Sequence, residues 1–221
     1  MPDNGAGVPG TRLRASKRIS NPGCHSTAFI LLVRPLVDAG LIPQSATLSA
    51  TSITGYSGGG KKMIEQYEAG GDPRLRSPRP YALGMTHKHL PEMTVHSRLE
   101  TRPIFVPMVG NFLKGLAVTV PLHLAEARRG TTAEQLHAAL AERYEGERFV
   151  RVMPLRDPAV LAESYFDVQA CNDSNRAELF VFGNETQVLL MARLDNLGKG
   201  ASGAAVQCMN VHLGIAEGTG L

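Results

Sequence analysis

The sequence lacks tryptophan, has few other aromatic residues and contains only three cysteines among 221 residues. Cys24, Cys171 and Cys208 form no short-spaced pair, so the cysteines alone predict no metal site. An odd number of cysteines leaves one thiol unpaired in any disulfide scheme. This favours reduced thiols and a cytoplasmic location.

Long apolar runs and a basic surface are also missing. No stretch approaches the roughly 18 to 20 apolar residues that cross a bilayer, and the polar first twenty residues hold no secretory core, so we expect no membrane partner. The net charge of +3 resides within the first eighteen residues. Because the remainder carries no basic stripe, we expect no nucleic acid partner, and a small-molecule substrate is favoured.

Residues 1–16 combine glycine, proline and polar residues without periodicity. This composition predicts a flexible leader without secondary structure, followed by one domain over 17–221. Gly5, Gly7 and Gly10 satisfy the spacing of the dinucleotide-binding fingerprint. That fingerprint requires a buried strand before the turn and a helix after it, and nothing strand-like precedes these glycines, so we interpret the match as accidental.

Apolar periodicity divides the rest of the chain into helices and strands. Helical spacing begins at Cys24 and stops at Gly40, and a capping arrangement at Thr131 and Thr132 begins a second helix. The later helices are predicted over 132–144 and 202–213. Alternating apolar segments predict strands at 46–53, 92–99, 115–122, 149–155, 179–182 and 187–194. This order is typical of the α+β class, with a mixed, largely antiparallel sheet covered by helices.

Cys24 directly follows a Pro-Gly turn and begins the first of these helices. Free backbone amides and the positive end of the helix dipole stabilise a thiolate there, which predicts a lowered pKa for Cys24 and a nucleophilic sulfur at neutral pH. The alternative is a small buried residue at a helix start, and spacing alone does not decide between the two. Cys171 and Cys208 lack this setting.

Two histidines and a glutamate lie close together in the segment THKHLPE at 86–92. On an extended backbone His87 and His89 point to the same side, and Glu92 is placed to orient one of the rings. A cysteine nucleophile needs such an acid–base partner. The alternative is a polar surface loop with solvated histidines. Zinc binding is disfavoured, because His-x-His supplies two ligands and no companion pair is visible.

A glycine-rich segment, SGGGKK at 57–62, ends a strand. Such a loop lets the backbone amides of Ser57, Gly58 and Gly59 approach an anion, and Lys61 adds positive charge. A flexible loop without a ligand explains the same residues.

A second small-residue segment, GKGASG at 198–203, leads into the final helix. Its small side chains permit close approach of a ligand, and Lys199 is placed where an anion at a helix start is stabilised. Close helix packing explains the small side chains equally well.

Taken in order, four motifs resemble those of the N-acetyl-gamma-glutamyl-phosphate reductase family in its shorter form. They are SNPGC at 20–24, SGGGKK at 57–62, HKHLPE at 87–92 and GKGASG at 198–203. The resemblance implies the C-terminal domain fold of glyceraldehyde-3-phosphate dehydrogenase-like reductases and a homo-oligomer. It also implies NADPH-dependent reduction of N-acetyl-glutamyl 5-phosphate to N-acetyl-glutamate 5-semialdehyde, with release of phosphate, in arginine biosynthesis.

The same resemblance implies the roles of individual residues. Cys24 would attack the acyl phosphate to form a thioester, and His87 would transfer the proton. The implied substrate contacts are His89, Glu92, Ser57, Gly58, Gly59 and Lys61. The implied NADP contacts are Asn196, Gly198, Lys199, Gly200, Ala201 and Ser202.

The chain departs from the family pattern in two places. His25 stands where family members often have tyrosine, and only 23 residues precede Cys24 where members carry a Rossmann domain of on the order of 100 to 150 residues. We therefore expect the catalytic and substrate domain, with its C-terminal helix packing on an absent cofactor domain and no enzyme-like reduction by this polypeptide alone. The alternatives are an inactive remnant or oligomerisation module, and a cysteine hydrolase using Cys24 and His87.

Overall fold

The computed structural model describes residues 11–221, which form six α-helices and nine β-strands. The helices are α1 Thr11–Ala15, α2 Cys24–Asp38, α3 Lys61–Ala69, α4 Leu90–His96, α5 Ala133–Arg143 and α6 Gly203–Leu213. The strands are β1 Ser49–Gly55, β2 Arg79–Pro80, β3 Ile104–Gly110, β4 Leu116–His123, β5 Val150–Val152, β6 Leu161–Ala162, β7 Tyr165–Phe166, β8 Ala177–Gly183 and β9 Gln187–Leu194. A π-helical turn, Gly198–Ser202, leads directly into α6.

Seven of these strands form one mixed sheet in the order β2-β3-β1-β4-β9-β8-β5, and β6 pairs with β7 separately. The pairs β1 with β3 and β5 with β8 are parallel. The other four pairs in the sheet are antiparallel. The α+β class with a mixed, largely antiparallel sheet is therefore confirmed.

Helix α2 is the centre of the hydrophobic core. Twelve of its fifteen residues are buried, because it packs against β4 and β9 on one side and against α4 and α5 on the others. Phe29, Leu32 and Leu36 are completely buried, as are Leu136 of α5 and Leu190 of β9. Burying a side chain of this size stabilises the fold by about 1.5–3 kcal/mol, so the core holds the first residue of α2 firmly in place.

The opposite face of the sheet is less well covered. Ile104 of β3 and Leu189 of β9 remain 60% and 42% exposed, and Leu189 lies between Pro121 and Phe182 on the neighbouring strands. These side chains alternate along their strands with residues that face the core. The sheet therefore has one face buried beneath helices and one face with exposed apolar side chains.

The strand predicted over 92–99 is wrong, because residues 92–96 belong to helix α4 and residues 97–99 follow its end. Pro91 lies in its first turn, and the buried Leu90 and Met93 are three residues apart, which is a helical spacing. In so short a segment the apolar residues fit both periods, and packing against α2 decided between them. Strand β3 and helix α3 had no sequence prediction.

The leader predicted over 1–16 is partly corrected. Residues 11–15 form α1, which packs against α6, and the Leu13 carbonyl lies 3.1 Å from His212 Nδ1. The match at Gly5, Gly7 and Gly10 falls outside the described residues. Of the helices within 11–221, none combines the length and the apolar character needed to cross a membrane.

Candidate functional site

A cleft of about 1120 Å³ opens where the start of α2, the loop after β1 and the π-helical turn meet. The segment around α4 and the edge strand β2 form the remaining walls. Of the residues predicted from the sequence, the following line the cleft: Cys24, Ser57, Gly58, Gly59, His87, His89, Glu92, Asn196, Gly200, Ala201 and Ser202. Lys61, Gly198 and Lys199 do not.

Cys24 is the first residue of α2, and Gly23 before it is extended. Burial raises the pKa of the Cys24 thiol above its ordinary value; the backbone amides of His25 and Cys24 and the charge of Lys88 act in the opposite direction without overcoming burial. The predicted lowering of the pKa at the helix start is therefore wrong for the free protein. Its cause is the desolvation that accompanies packing of α2 into the core.

Glu92 secures the start of α2 rather than orienting a histidine. Its carboxylate accepts a hydrogen bond from the Gly23 amide at 3.0 Å and a short one from the Ser26 hydroxyl. Burial by itself raises the pKa of Glu92, but these two hydrogen bonds, together with the nearby His89 and His96, bring the pKa below its ordinary value. Glu92 is therefore a carboxylate at neutral pH, and it satisfies a free amide at the helix start.

Two imidazoles lie directly beside the thiol. Cys24 Sγ and one ring nitrogen each of His25 and His89 all lie within 4.8 Å of one another. His25 and His89 are both buried. His89 packs so closely on Gly23 that a methyl group at that glycine would lie 2.0 Å from His89 Nε2. The structure thus brings together residues separated by 65 positions in the chain.

A hydrogen-bonded relay runs from the backbone amide of His89 through neighbouring side chains to Ser52. The His89 amide donates to His87 Nδ1 at 3.1 Å, and His87 Nε2 lies 3.4 Å from the Tyr81 hydroxyl. That hydroxyl lies 3.1 Å from His25 Nε2, and His25 Nδ1 lies 2.9 Å from the Ser52 hydroxyl. Because the backbone amide can only donate, it fixes neutral His87 with its proton on Nε2. Tyr81 then donates to His25, and His25 donates to Ser52.

All three histidines are neutral at physiological pH. Burial lowers the pKa of His25 well below its ordinary value, assisted by the neighbouring rings. Burial also lowers the pKa of His89, to about 4, and that of His87 to a smaller extent. A neutral imidazole beside a neutral thiol is positioned to accept the thiol proton.

The glycine-rich loop presents its backbone to the cleft, whereas the charge of Lys61 lies outside the cleft. A methyl group at Gly58 would have no neighbour closer than 3.7 Å, so the loop leaves open space towards the cleft. Lys61 is exposed and pairs with Glu65 at 3.7 Å. The cations that do line the cleft are Lys88 and Arg79.

Arg79 and Tyr81 flank Pro80 in and beside edge strand β2, and sequence reasoning missed both. The Arg79 guanidinium donates to the Tyr67 hydroxyl at 3.0 Å and lies over that ring. No local motif marks these residues. They reach the cleft because β2 pairs with β3 at the edge of the sheet.

The π-helical turn divides the predicted cofactor residues into two groups. Gly200 packs on Cys24, since a methyl group there would lie 2.6 Å from Cys24 Cβ, and Ala201 and Ser202 are exposed beside it. Lys199 turns away: its ammonium donates to Gln207 at 2.6 Å, and burial lowers its pKa to about 8. Single π turns of this kind often occur at functional sites.

Asn196 is committed to holding the cleft together. Its side-chain amide donates to Ser57 Oγ at 3.0 Å, and its oxygen accepts from the Gly115 amide at 2.8 Å. The first bond joins the segment after β9 to the loop after β1, and the second joins it to the residue directly before β4. Asn196 therefore positions the wall that Ser57 forms.

Comparison with known proteins gives a consistent assignment. Residues 24–196 match the family described as semialdehyde dehydrogenase, dimerisation domain. N-acetyl-gamma-glutamyl-phosphate reductase 2 of Nostoc sp. is 43% identical over 96% of this chain and 69% of its own length. The enzyme named N-acetyl-gamma-glutamyl-phosphate reductase in Rhizobium leguminosarum bv. trifolii is 46% identical over 94% of this chain and 67% of its own. The chain thus spans about two thirds of the length of these relatives.

Among solved structures, aspartate semialdehyde dehydrogenase II from Vibrio cholerae superposes with a TM-score of 0.68. The match covers 92% of this chain and 64% of that one, at 18% sequence identity. At this identity the likeness concerns the fold.

Proposed function

The chain belongs to the N-acetyl-gamma-glutamyl-phosphate reductase family, and on this premise we propose that it carries the thiol chemistry of an acyl-phosphate reductase. The substrate is N-acetyl-glutamyl 5-phosphate, and the product is N-acetyl-glutamate 5-semialdehyde. The observation that carries the proposal is the placement of Cys24 beside two buried, neutral imidazoles in a large cleft.

In the first step Cys24 Sγ attacks the acyl carbonyl carbon. The new bond is a thioester, the bond from that carbon to the phosphate oxygen breaks, and phosphate leaves with the bonding electrons. The thiol proton goes to His89, because one of its nitrogens has no partner whereas the His87 Nδ1 lone pair already accepts a backbone hydrogen bond. We therefore propose His89, rather than His87, as the base. Proton transfer accompanies substrate binding, since the free protein holds thiol and imidazole neutral.

The anionic parts of the substrate require cationic and amide donors. Arg79 and Lys88 supply positive charge at the cleft. The small residues Ser57, Gly58 and Gly59 let an anionic group come close to the backbone amides of the loop. We propose that these groups share the substrate phosphate and carboxylate between them. Lys61 is omitted from this set because it faces solvent.

NADPH, when bound, supplies the hydride that converts the thioester carbon to the aldehyde level. The wall formed by Gly200, Ala201 and Ser202 fits the flat nicotinamide ring, because it consists of backbone and small side chains directly against Cys24. Gly198 and Lys199 lie outside this wall and are not proposed as contacts. The three free cysteines suit a reducing compartment, and we propose the cytoplasm.

The first step is tested by intact-mass measurement. After incubation with N-acetyl-glutamyl 5-phosphate, we expect wild-type chain to carry one acyl group on Cys24 and to release one equivalent of phosphate. Cys24→Ser should carry none, while the control Cys208→Ser should be acylated like wild type. Equal labelling of wild type and Cys24→Ser would overturn the proposal.

A second property follows from the exposed face of the sheet. We propose that Ile104 and Leu189 belong to a homodimer interface, because they are exposed apolar side chains on a sheet matched by a dimerisation-domain family. Leu189→Lys should dissociate the dimer in analytical ultracentrifugation, whereas Leu83→Lys, an exposed loop residue, should not. A monomeric wild-type chain would contradict the assignment.

A further inference from the structure

Cys24, His25 and His89 form a cluster with the composition of a transition-metal site. It presents one sulfur and two imidazole nitrogens, all within 4.8 Å of one another. Zinc binds such donors tetrahedrally at about 2.0–2.3 Å, which places ligand atoms roughly 3.3–3.8 Å apart. Closing the cluster around an ion therefore requires side-chain movements of about 1 Å.

His89 provides a second, independent indication of a ligand. It is only 7% exposed, and its Nδ1 has no hydrogen-bond partner within the described residues 11–221. A buried ring nitrogen without a partner carries a desolvation penalty that a metal ion would remove. His89, which contributes a ring nitrogen to the cluster, thus also has a ring nitrogen that no described protein group satisfies.

The hydrogen bonds of His25 decide which of its ring nitrogens could face an ion. His25 uses both ring nitrogens, with Ser52 and Tyr81 as partners. In the relay above it is Nε2 that carries the lone pair, and an ion at this position would take the place of the Tyr81 hydroxyl.

We propose that Cys24, His25 and His89 bind one Zn²⁺ ion. Binding breaks the thiol S–H bond, forms the sulfur–zinc bond and releases the proton to solvent. The fourth position faces the cleft and is filled by water, as in open three-ligand zinc sites. Because the ion is bound to Cys24 Sγ, it reversibly blocks the nucleophile.

Zinc binding does not depend on the reaction, because it requires only the affinity of three side chains for an ion. Its test uses metal-free chain and Zn²⁺ alone, with bound zinc measured by equilibrium dialysis. We expect one ion per chain, and protection of Cys24 but not Cys208 from iodoacetamide. Cys24→Ala, His25→Phe and His89→Ala should each weaken binding at least about 100-fold, since even outer contacts of a metal site are worth 10- to 100-fold.

Matched controls separate this cluster from adventitious binding. Cys208→Ala and His123→Ala remove a cysteine and an exposed histidine elsewhere and should leave zinc affinity within about twofold. Cobalt provides a readout that needs no variant: Co²⁺ bound to wild type should show a thiolate-to-metal charge-transfer band in the near ultraviolet. No such band, or undiminished zinc binding by any of the three cluster variants, would overturn the proposal.

Discussion

The carboxylate of Glu92 accepts a hydrogen bond from the backbone amide of Gly23, 69 positions earlier in the chain, at 3.0 Å. This contact joins α4 to the start of α2 and sets the position of Cys24. It also places a negative charge near the sulfur, which raises the pKa of the Cys24 thiol, although less than burial does. One residue therefore stabilises the position of the nucleophile and opposes its ionisation.

Substitutions at Glu92 should separate these two effects. Glu92→Gln keeps an acceptor for the Gly23 amide and removes the charge, so the pKa of Cys24 should fall and alkylation at pH 7 should become faster. Glu92→Ala removes both hydrogen bonds and should lower the free energy of unfolding by about 1–3 kcal/mol. Urea unfolding and pH-dependent alkylation measure the two quantities. Equal stability of the two variants would show that the hydrogen bonds are unimportant.

Close packing at Gly23 predicts a strong effect of one methyl group. Gly23→Ala would place that methyl 2.0 Å from His89 Nε2, so the ring must move and the free energy of unfolding should fall by about 1–3 kcal/mol. Gly58→Ala is the matched control, because its methyl group would meet nothing closer than 3.7 Å. We expect that control to stay within about 0.5 kcal/mol of wild type. Thermal unfolding of both variants distinguishes the outcomes.

The positions of two lysines predict different effects on Cys24. The charge of Lys88 lowers the pKa of the thiol, so Lys88→Ala should raise that pKa and slow alkylation at pH 7.5 by between about 2- and 10-fold. Lys61→Ala should leave the rate unchanged, since Lys61 is exposed and pairs with Glu65. Rates are measured by mass spectrometry of the Cys24 peptide. A slower reaction in Lys61→Ala would contradict the placement of the two side chains.

The buried Lys199 predicts a pH-dependent stability. Burial lowers its pKa to about 8, below the ordinary value of 10.5, so between these values the unfolded chain binds a proton that the folded chain has released. The contribution of Lys199 to the free energy of unfolding therefore rises with pH over this interval, by up to about 3 kcal/mol, and is lost as the pH falls to 8.

Lys199→Met removes this titration. As the pH rises from 7 to 10, the free energy of unfolding of wild type should increase relative to that of Lys199→Met. Lys61→Met, at an exposed lysine that pairs with Glu65, is the matched control. Chemical denaturation at several pH values supplies the data. A constant difference for Lys199→Met would mean that the ammonium is hydrated in the folded protein.

Local patterns predicted several elements well. Strand β9 has the bounds 187–194 expected from its alternation, and α2 begins at Cys24 after the Pro-Gly turn. Helix α5 has its capping box at Thr132, with Gln135 as the reciprocal partner. These features depend on neighbours within a few positions, which a sequence displays directly.

The sequence by itself determined the α+β class, the start of the central helix and the set of residues with reactive side chains. Only the tertiary structure decided that Cys24 meets His25 and His89, that Lys61 and Lys199 turn away from the cleft, and that Arg79 and Tyr81 reach it. The reason is physical: periodicity fixes which face of an element is buried, whereas the approach of distant side chains depends on how strands pair and helices pack. The same packing reversed the expected pKa of Cys24, because desolvation by the assembled core outweighs the favourable end of its own helix.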